Sequence, residues 1–254
     1  LSGAAFRIYP HKNVSQLESL LQRSSMYRRK LVVTDSVFSM DGDTAPLPEI
    51  VNIAKRYDVI FMVADAHATG VFGKQGKGMI EHCGLEGKID IVMGSLSKAV
   101  GSIGGFIAGS KPLIDFLKNK ARPFIYTTAL PPAVCAASMA GLTLIQEDVS
   151  LIDTLWKNIA FLKSRLSTFM DTIAGESPIV PLIVGSAEDA VNLSTKLYQN
   201  GILIPAIRPP TVPPGTSRLR ISLMATHSAD DINRLIDILQ YVGFLTREHV
   251  KDVC

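Results

Sequence analysis

The 254-residue sequence lacks features that mark several classes of protein. Its three cysteines are an odd number without metal-type spacing, so we predict reduced thiols at Cys83, Cys135 and Cys254 and a cytoplasmic protein. No window approaches 18 uninterrupted apolar residues, which predicts no membrane span. Internal repeats and basic runs are absent, and the net charge is only +3, so nucleic acid is not an expected partner.

The composition is that of a folded globular protein. Apolar residues make up 47% and charged residues 19% of the chain, which excludes a disordered tail. The length suits one large domain, or a large one with a small one. The chain begins at Leu1 without an initiator Met or a signal-peptide pattern, and we expect that its true N-terminus is missing.

Short apolar runs alternate with amphipathic stretches, a pattern typical of parallel βαβ units with both faces covered. In the first part of the chain, strands are predicted at 31–34, 59–63, 89–93 and 104–108, and helices at 48–57, 111–120 and 132–146. From about residue 150 the predicted elements are a long helix to about 171, strands at 179–184, 202–204 and 218–223, and helices at 187–199 and 228–242. We therefore predict a large domain over residues 1–148 and a smaller C-terminal α/β domain over 149–254.

The densest group of small polar residues follows the third predicted strand, over residues 94–105. Lys98 lies there at the carboxyl end of a strand, where open α/β sheets bind ligands. The hydroxyl groups of Ser95 and Ser97 suit a phosphate, and a lysine with a lowered pKa can form a Schiff base. The spacing is not that of a P-loop. A surface lysine in a flexible loop is the competing interpretation, which the local pattern alone favours.

Asp65 and His67 directly follow the second predicted strand. A carboxylate and an imidazole at a strand end can orient a cofactor or bind a metal, although no third metal ligand is visible nearby. A hydrogen-bonded loop histidine is the competing interpretation.

Two further segments carry candidate contacts. Ser39 lies in a turn after the first strand, and Arg208 begins a proline-rich loop that is stiff enough to hold a guanidinium for a carboxylate. A local cap and a solvated arginine are the alternatives. Because three of the four segments follow successive strands, we expect them to converge on one cleft, with the Arg208 loop closing over it.

Five motifs, taken together, identify a family. They lie at residues 34–43, at 65–73, at 94–101 with 104–105, at 126–132, and at 206–213 with 218–220, in family order and through nearly the whole chain. The sequence resembles the α-oxoamine synthases, which are pyridoxal 5′-phosphate enzymes of fold type I, the aspartate-aminotransferase-like fold. The resemblance implies an α/β protein with a mostly parallel central sheet, helices on both faces, and a smaller C-terminal α/β domain.

The resemblance also implies a set of cofactor contacts. Lys98 would be the Schiff-base lysine and the later acid and base at the substrate Cα. His67 would contact the phenolic oxygen of the cofactor ring. Ser39 and Ser95 would lie against the cofactor, with Ser95 near its phosphate.

Partner and substrate contacts follow from the same resemblance. Thr127 and Thr128 match a segment that reaches the phosphate of the neighbouring subunit, which implies a homodimer. Arg208 would hold the carboxylate of the amino acid, with Thr211 beside it, and no metal is implied.

The motifs are most similar to the branch that condenses L-alanine with a pimeloyl thioester, on CoA or acyl carrier protein, in biotin biosynthesis. Another α-oxoamine synthase, using glycine or serine with a different acyl-CoA, is one alternative. A non-catalytic fragment or partner subunit is the other.

Two departures from the family pattern bear on activity. Family members usually carry, three residues before the histidine, an aspartate that pairs with the pyridinium nitrogen; that position is Ala64 here. Asp65 is adjacent, but neighbouring strand residues point to opposite faces. The chain also begins where the family pattern is already under way, so we expect an N-terminal portion with a glycine-rich segment and a ring-stacking residue to be missing.

Overall fold

The computed structural model describes residues 3–171 and 173–245, and Cys254 lies outside them. These residues form two compact units. The first contains the chain up to residue 37 and residues 45–147, and the second contains residues 38–44 and the chain from residue 148 onward. The domain boundary after residue 148 stays a prediction. None of the helices in the described ranges is both long and apolar enough to cross a membrane.

The first unit is built on a four-stranded sheet in the order β1-β2-β3-β4. The strands are β1 (Leu31–Asp35), β2 (Ile60–Ala64), β3 (Ile91–Ser95) and β4 (Gly105–Gly109). β1, β2 and β3 are parallel, whereas β4 runs antiparallel to β3. This mostly parallel sheet confirms the predicted fold class. The antiparallel edge follows from the short connection between β3 and β4, because a parallel crossover needs about a dozen residues or more.

Helices connect and flank these strands. They are α1 (Val14–Gln22), α2 (Leu47–Arg56), α3 (Met79–His82), α4 (Lys111–Lys120), α5 (Arg122–Ile125) and α6 (Pro132–Glu147). α2 shows why they form: Pro48 stands in its first turn, and Leu47, Ile50 and Ile53 recur at helical spacing and are buried. The short helices α3 and α5 were not predicted, since four residues are too few to show a periodic pattern.

The two faces of this sheet differ in burial. Val32, Phe61 and Val63 are buried on one face. On the other, Leu31 and Val33 are about half exposed, at 56% and 50%. Because side chains alternate along a strand, this more open face is the one that carries positions 35 and 64 at the strand ends.

The second unit has an antiparallel sheet in the order β5-β7-β6. Its elements are α7 (Ser150–Leu166), β5 (Ile179–Gly185), α8 (Ala187–Gln199), β6 (Ala206–Ile207), β7 (Ser217–Ser222) and α9 (Ala229–Tyr241). Side chains that α7, α8 and α9 bury include Leu162, Leu197 and Leu239. Most of the predicted elements of this unit are confirmed within one or two residues, although α7 ends at Leu166 rather than near 171.

The predicted strand at 202–204 is wrong. Residues 202–204 form no ladder, and the strand that pairs with β7 is β6, four residues further along. The Ile202 N–H instead closes the end of α8 on the Leu197 carbonyl, and the Ile204 carbonyl accepts from the Ser194 hydroxyl. The apolar run reflects Ile204 packing into the core, not a sheet position.

Candidate active site

The candidate site of the first unit lies where three parallel strands end. β1 ends at Asp35, β2 at Ala64 and β3 at Ser95, and these strands run in register, with Asp35 paired to Ala64 and Ala64 to Met93. The loops that leave these strands carry His67 and Lys98. The carboxyl edge of an open α/β sheet is where such folds bind ligands.

A compact turn holds Lys98 beyond β3. The Gly101 N–H donates to the Lys98 carbonyl at 2.9 Å, and the Leu96 N–H donates to the Gly104 carbonyl at 2.9 Å. Gly101 has a φ of 70°, which favours glycine at this position. Lys98 itself is exposed. The turn therefore fixes the backbone of Lys98 and leaves its amine accessible.

Ser95 and Ser97 form a pair of hydroxyl groups beside this turn. Their oxygens lie 2.8 Å apart, and the Ser97 N–H donates to Ser95 Oγ at 3.2 Å. Ser95 is half-buried at the end of β3, whereas Ser97 is exposed. Neighbouring hydroxyl and N–H donors at a strand end suit an anionic oxygen.

Asp65 serves the protein's own backbone. It is 1% exposed, and its carboxylate accepts the Met79 N–H at 3.2 Å. A Cβ at Gly78 would lie 1.8 Å from Asp65 Oδ2. Any side chain at position 78 would therefore collide with the Asp65 carboxylate. Burial raises the pKa of Asp65, and the nearby Ser36 hydroxyl and the hydrogen bond from the Met79 N–H partly oppose that rise. Asp65 is thus a structural acceptor and leaves the edge of β2 without a carboxylate of its own.

Asp65 also sets the turn that carries His67. The Ala68 and Thr69 N–H groups both donate to the Asp65 carbonyl, at 3.1 and 3.0 Å, and the Thr69 hydroxyl donates to the same oxygen. His67 is half-buried within this turn. The backbone of His67 is consequently held at the same sheet edge as Lys98.

The sequence analysis missed Asp35, which ends β1. Part of this residue is exposed, but crowding by neighbouring protein atoms raises the pKa of the Asp35 carboxyl, and the Lys98 ammonium acts to lower it. The feature of the sequence that could have identified Asp35 is a carboxylate at the end of an apolar strand.

Thr127 and Thr128 lie on the same unit but face solvent. They follow α5, and the Thr127 hydroxyl donates to the Pro123 carbonyl. No contact among the described residues assigns them a ligand, and their predicted role toward a neighbouring subunit stays a prediction.

Ser39, Arg208 and Thr211 belong to the second unit. Ser39 is half-buried, and its carbonyl accepts from Arg220 at 3.1 Å. Arg208 and Thr211 are exposed in the loop after β6, where the Thr211 N–H donates to the Arg208 carbonyl at 3.0 Å. This turn presents both side chains outward, and their substrate roles stay predictions.

Solved structures define the class of the fold. A structure of serine palmitoyltransferase, described as carrying pyridoxal phosphate as an internal aldimine, matches with a TM-score of 0.87 at 35% identity, over 92% of this chain and 59% of that chain. An 8-amino-7-oxononanoate synthase from Francisella tularensis matches with a TM-score of 0.80 at 28% identity, over 97% of this chain and 70% of that one. The fold is that of the fold type I transferases, as predicted.

The chain belongs to the aminotransferase class I and II family, which it matches over residues 1–239. An 8-amino-7-oxononanoate synthase from Methylobacillus flagellatus is 48% identical over 241 residues, or 94% of this chain and 60% of the relative. The resemblance to the α-oxoamine synthases is confirmed. The chain spans about 60% of the length of the curated relatives it matches.

Proposed function

We propose that the protein is a pyridoxal-phosphate-dependent acyltransferase that condenses L-alanine with a pimeloyl thioester, on CoA or a carrier protein. The products would be 8-amino-7-oxononanoate, the free thiol and CO2, a step of biotin biosynthesis. The observation that best supports this proposal is the exposed amine of Lys98 in a fixed turn at the edge where β1, β2 and β3 end.

The groups at this edge fit pyridoxal phosphate. Lys98 offers an amine for the aldehyde, and His67 an imidazole for the phenolic oxygen. Ser95 and Ser97 offer hydroxyl groups for the phosphate, and they already lie within hydrogen-bonding distance of each other. When bound, the cofactor supplies an electron sink for the bond broken at the substrate Cα.

The side chains of this protein would then bind the substrate and move its proton. Lys98, as a free amine, takes the proton from Cα and later returns it. Arg208 binds the carboxylate of the amino acid through a guanidinium held by the proline-rich loop, with Thr211 beside it. These roles carry over residue by residue from the family motifs.

The same resemblance supports a cytoplasmic homodimer. Thr127 and Thr128 would reach the phosphate bound by the partner subunit, in an isologous interface. Their exposure in this chain is compatible with such a contact. Sedimentation of the cofactor-loaded protein is expected to show a dimer, and a species that stays monomeric at micromolar concentration would contradict it.

Chemical trapping tests the assignment of Lys98. The full polypeptide that the gene encodes is loaded with pyridoxal phosphate, reduced with borohydride and mapped by mass spectrometry, and the pyridoxyl label is expected on Lys98. Lys98→Ala should lose the label and lower product formation by about 10²–10⁴-fold, the usual contribution of an acid–base group. Lys118→Ala, which removes an exposed lysine of α4, is the matched control and should change neither. Label on another lysine would overturn the assignment.

A second candidate substrate is favoured by the match to serine palmitoyltransferase at a TM-score of 0.87. Product analysis with alanine, glycine and serine, each offered pimeloyl-CoA and palmitoyl-CoA, separates the candidates. Product from alanine and pimeloyl-CoA supports the proposal, whereas product from serine and palmitoyl-CoA supports the second candidate. A labelled protein that forms no product with any pair is a non-catalytic member of the family.

A further inference from the structure

One row of side chains crosses the carboxyl edge of the first sheet on its more open face. Strand register pairs Asp35 with Ala64, Ala64 with Met93, and Met93 with Ile107. Partners in register on adjacent strands project to the same face, because the alternation of side chains is shared across the ladder. This row therefore contains a single carboxylate, that of Asp35.

Ala64 is the in-register neighbour of Asp35 on β2. It contributes one methyl group at the position next to Asp35, and it is itself buried. The neighbouring carboxylate of Asp65 is not available to this face, since it is 1% exposed and accepts the Met79 N–H inside the unit. Among the residues of this row, Asp35 is thus the one with an acidic side chain on the more open face of the sheet.

Burial raises the pKa of the Asp35 carboxyl, and the Lys98 ammonium partly opposes that rise, so Asp35 lies within the electrostatic reach of Lys98. A carboxylate in that place has a defined chemical use, because the pyridine nitrogen of pyridoxal phosphate must keep its proton for the ring to act as an electron sink, and an anionic partner holds it there.

We propose that Asp35 pairs with the pyridine nitrogen of the bound cofactor, from the strand next to the position at which the family resemblance places that carboxylate. The change from position 64 to position 35 moves the origin of the side chain by one strand spacing, about 4.8 Å. Asp35 in this role is a catalytic residue, since it touches the cofactor. The inference rests on the proposed function for the presence of the cofactor.

The test reads the protonation of the pyridine nitrogen directly. The protein is loaded with pyridoxal phosphate labelled with ¹⁵N in the ring, and the ¹⁵N chemical shift is recorded together with the dissociation constant of the cofactor. The unchanged protein is expected to show the shift of a protonated nitrogen. Asp35→Asn should move the resonance to that of an unprotonated pyridine and raise the dissociation constant about tenfold or more, because a charge-assisted hydrogen bond is lost.

A rescue variant and a control complete the design. Asp35→Asn combined with Ala64→Asp should restore the protonated shift, and Asp58→Asn, at an exposed residue before β2, should leave it unchanged. If Asp35→Asn does not fold, as judged by circular dichroism, Asp35→Ala takes its place and should likewise move the resonance to that of an unprotonated pyridine.

The outcomes separate the inference from the proposed function. An unprotonated nitrogen in the unchanged protein, or a protonated one in folded Asp35→Asn, overturns the inference while leaving Lys98 and the cofactor in place. Failure of the unchanged protein to bind the cofactor at all overturns the proposed function and the inference with it.

Discussion

At the scale of single residues, Asp65 shows how a motif at a strand end can contain a carboxylate that serves the protein's own backbone. Its burial raises the pKa of the carboxyl above the ordinary value of 3.8, so the folded state binds this proton more tightly than the unfolded state does. The protonated form therefore stabilises the fold most fully below pH 3.8. That contribution is lost as the pH rises through the raised value of the folded state.

Asp65→Asn tests this linkage. Asparagine keeps an oxygen that accepts the Met79 N–H but cannot titrate. The free energy of unfolding, measured in urea from pH 3 to pH 7, is expected to fall with rising pH in the unchanged protein relative to the variant. The difference between the two should become constant near neutrality. A difference that rises with pH across this range would show that hydrogen bonding to the charged form outweighs burial.

At the scale of elements, α9 begins with a capping box. Ser228 Oγ accepts the Asp231 N–H at 3.1 Å, and Asp231 Oδ2 accepts the Ser228 N–H at 2.9 Å. Ser228→Ala removes the side-chain half of this exchange and is expected to lower the free energy of unfolding by about 1 kcal/mol. Ser228→Gly should lower the free energy of unfolding by only about a few tenths of a kcal/mol. Urea unfolding measures both, and equal losses would mean that the box contributes little.

Periodicity in the sequence predicted most of the elements because their apolar positions repeat at the spacing of the element itself, as Leu47, Ile50 and Ile53 do in α2. It failed where a short apolar run packs into the core without joining a sheet, as at Ile204.

Periodicity also could not reveal Asp35 as a candidate site residue, since the neighbour of Asp35 across the sheet is 29 positions away and only strand register brings the two together. Lys98 and His67 were predicted as site residues because each lies in a segment that directly follows an apolar strand. Their ligands stay predictions.

At the scale of the whole molecule, the path of the chain is less simple than a division after residue 148. Residues 38–44 leave the first unit and join the second. There, Asp41 pairs with Arg218 at 2.6 Å, and Arg218 is almost completely buried in β7. The Thr44 N–H donates to Glu176 at 3.0 Å, and the Glu176 N–H donates to the Gly42 carbonyl at 2.8 Å. A fragment that begins at residue 149 would lack these partners.

Asp41→Asn in the full chain tests how far this segment supports the second unit. It removes the charge opposite Arg218 and leaves the buried guanidinium with carbonyl acceptors, Met40 at 3.2 Å and Thr216 at 3.0 Å. Because hydrogen bonds to charged groups contribute about 1.5–3 kcal/mol and Asp41 is half exposed, we expect a loss near 1.5 kcal/mol. Asp237→Asn, at an exposed residue of α9, is the matched control and should stay within about 0.5 kcal/mol.

Hydrogen exchange locates the effect within the molecule. In Asp41→Asn, the backbone amides of β5 and β7 should exchange faster, since loss of the ion pair lowers the free energy of their local opening. The amides of β1, β2 and β3 belong to the other unit and should keep their protection. Equal acceleration in both sheets would show that the protein opens as one cooperative body. In that case neither residues 38–44 nor a boundary after residue 148 would divide it into separately stable parts.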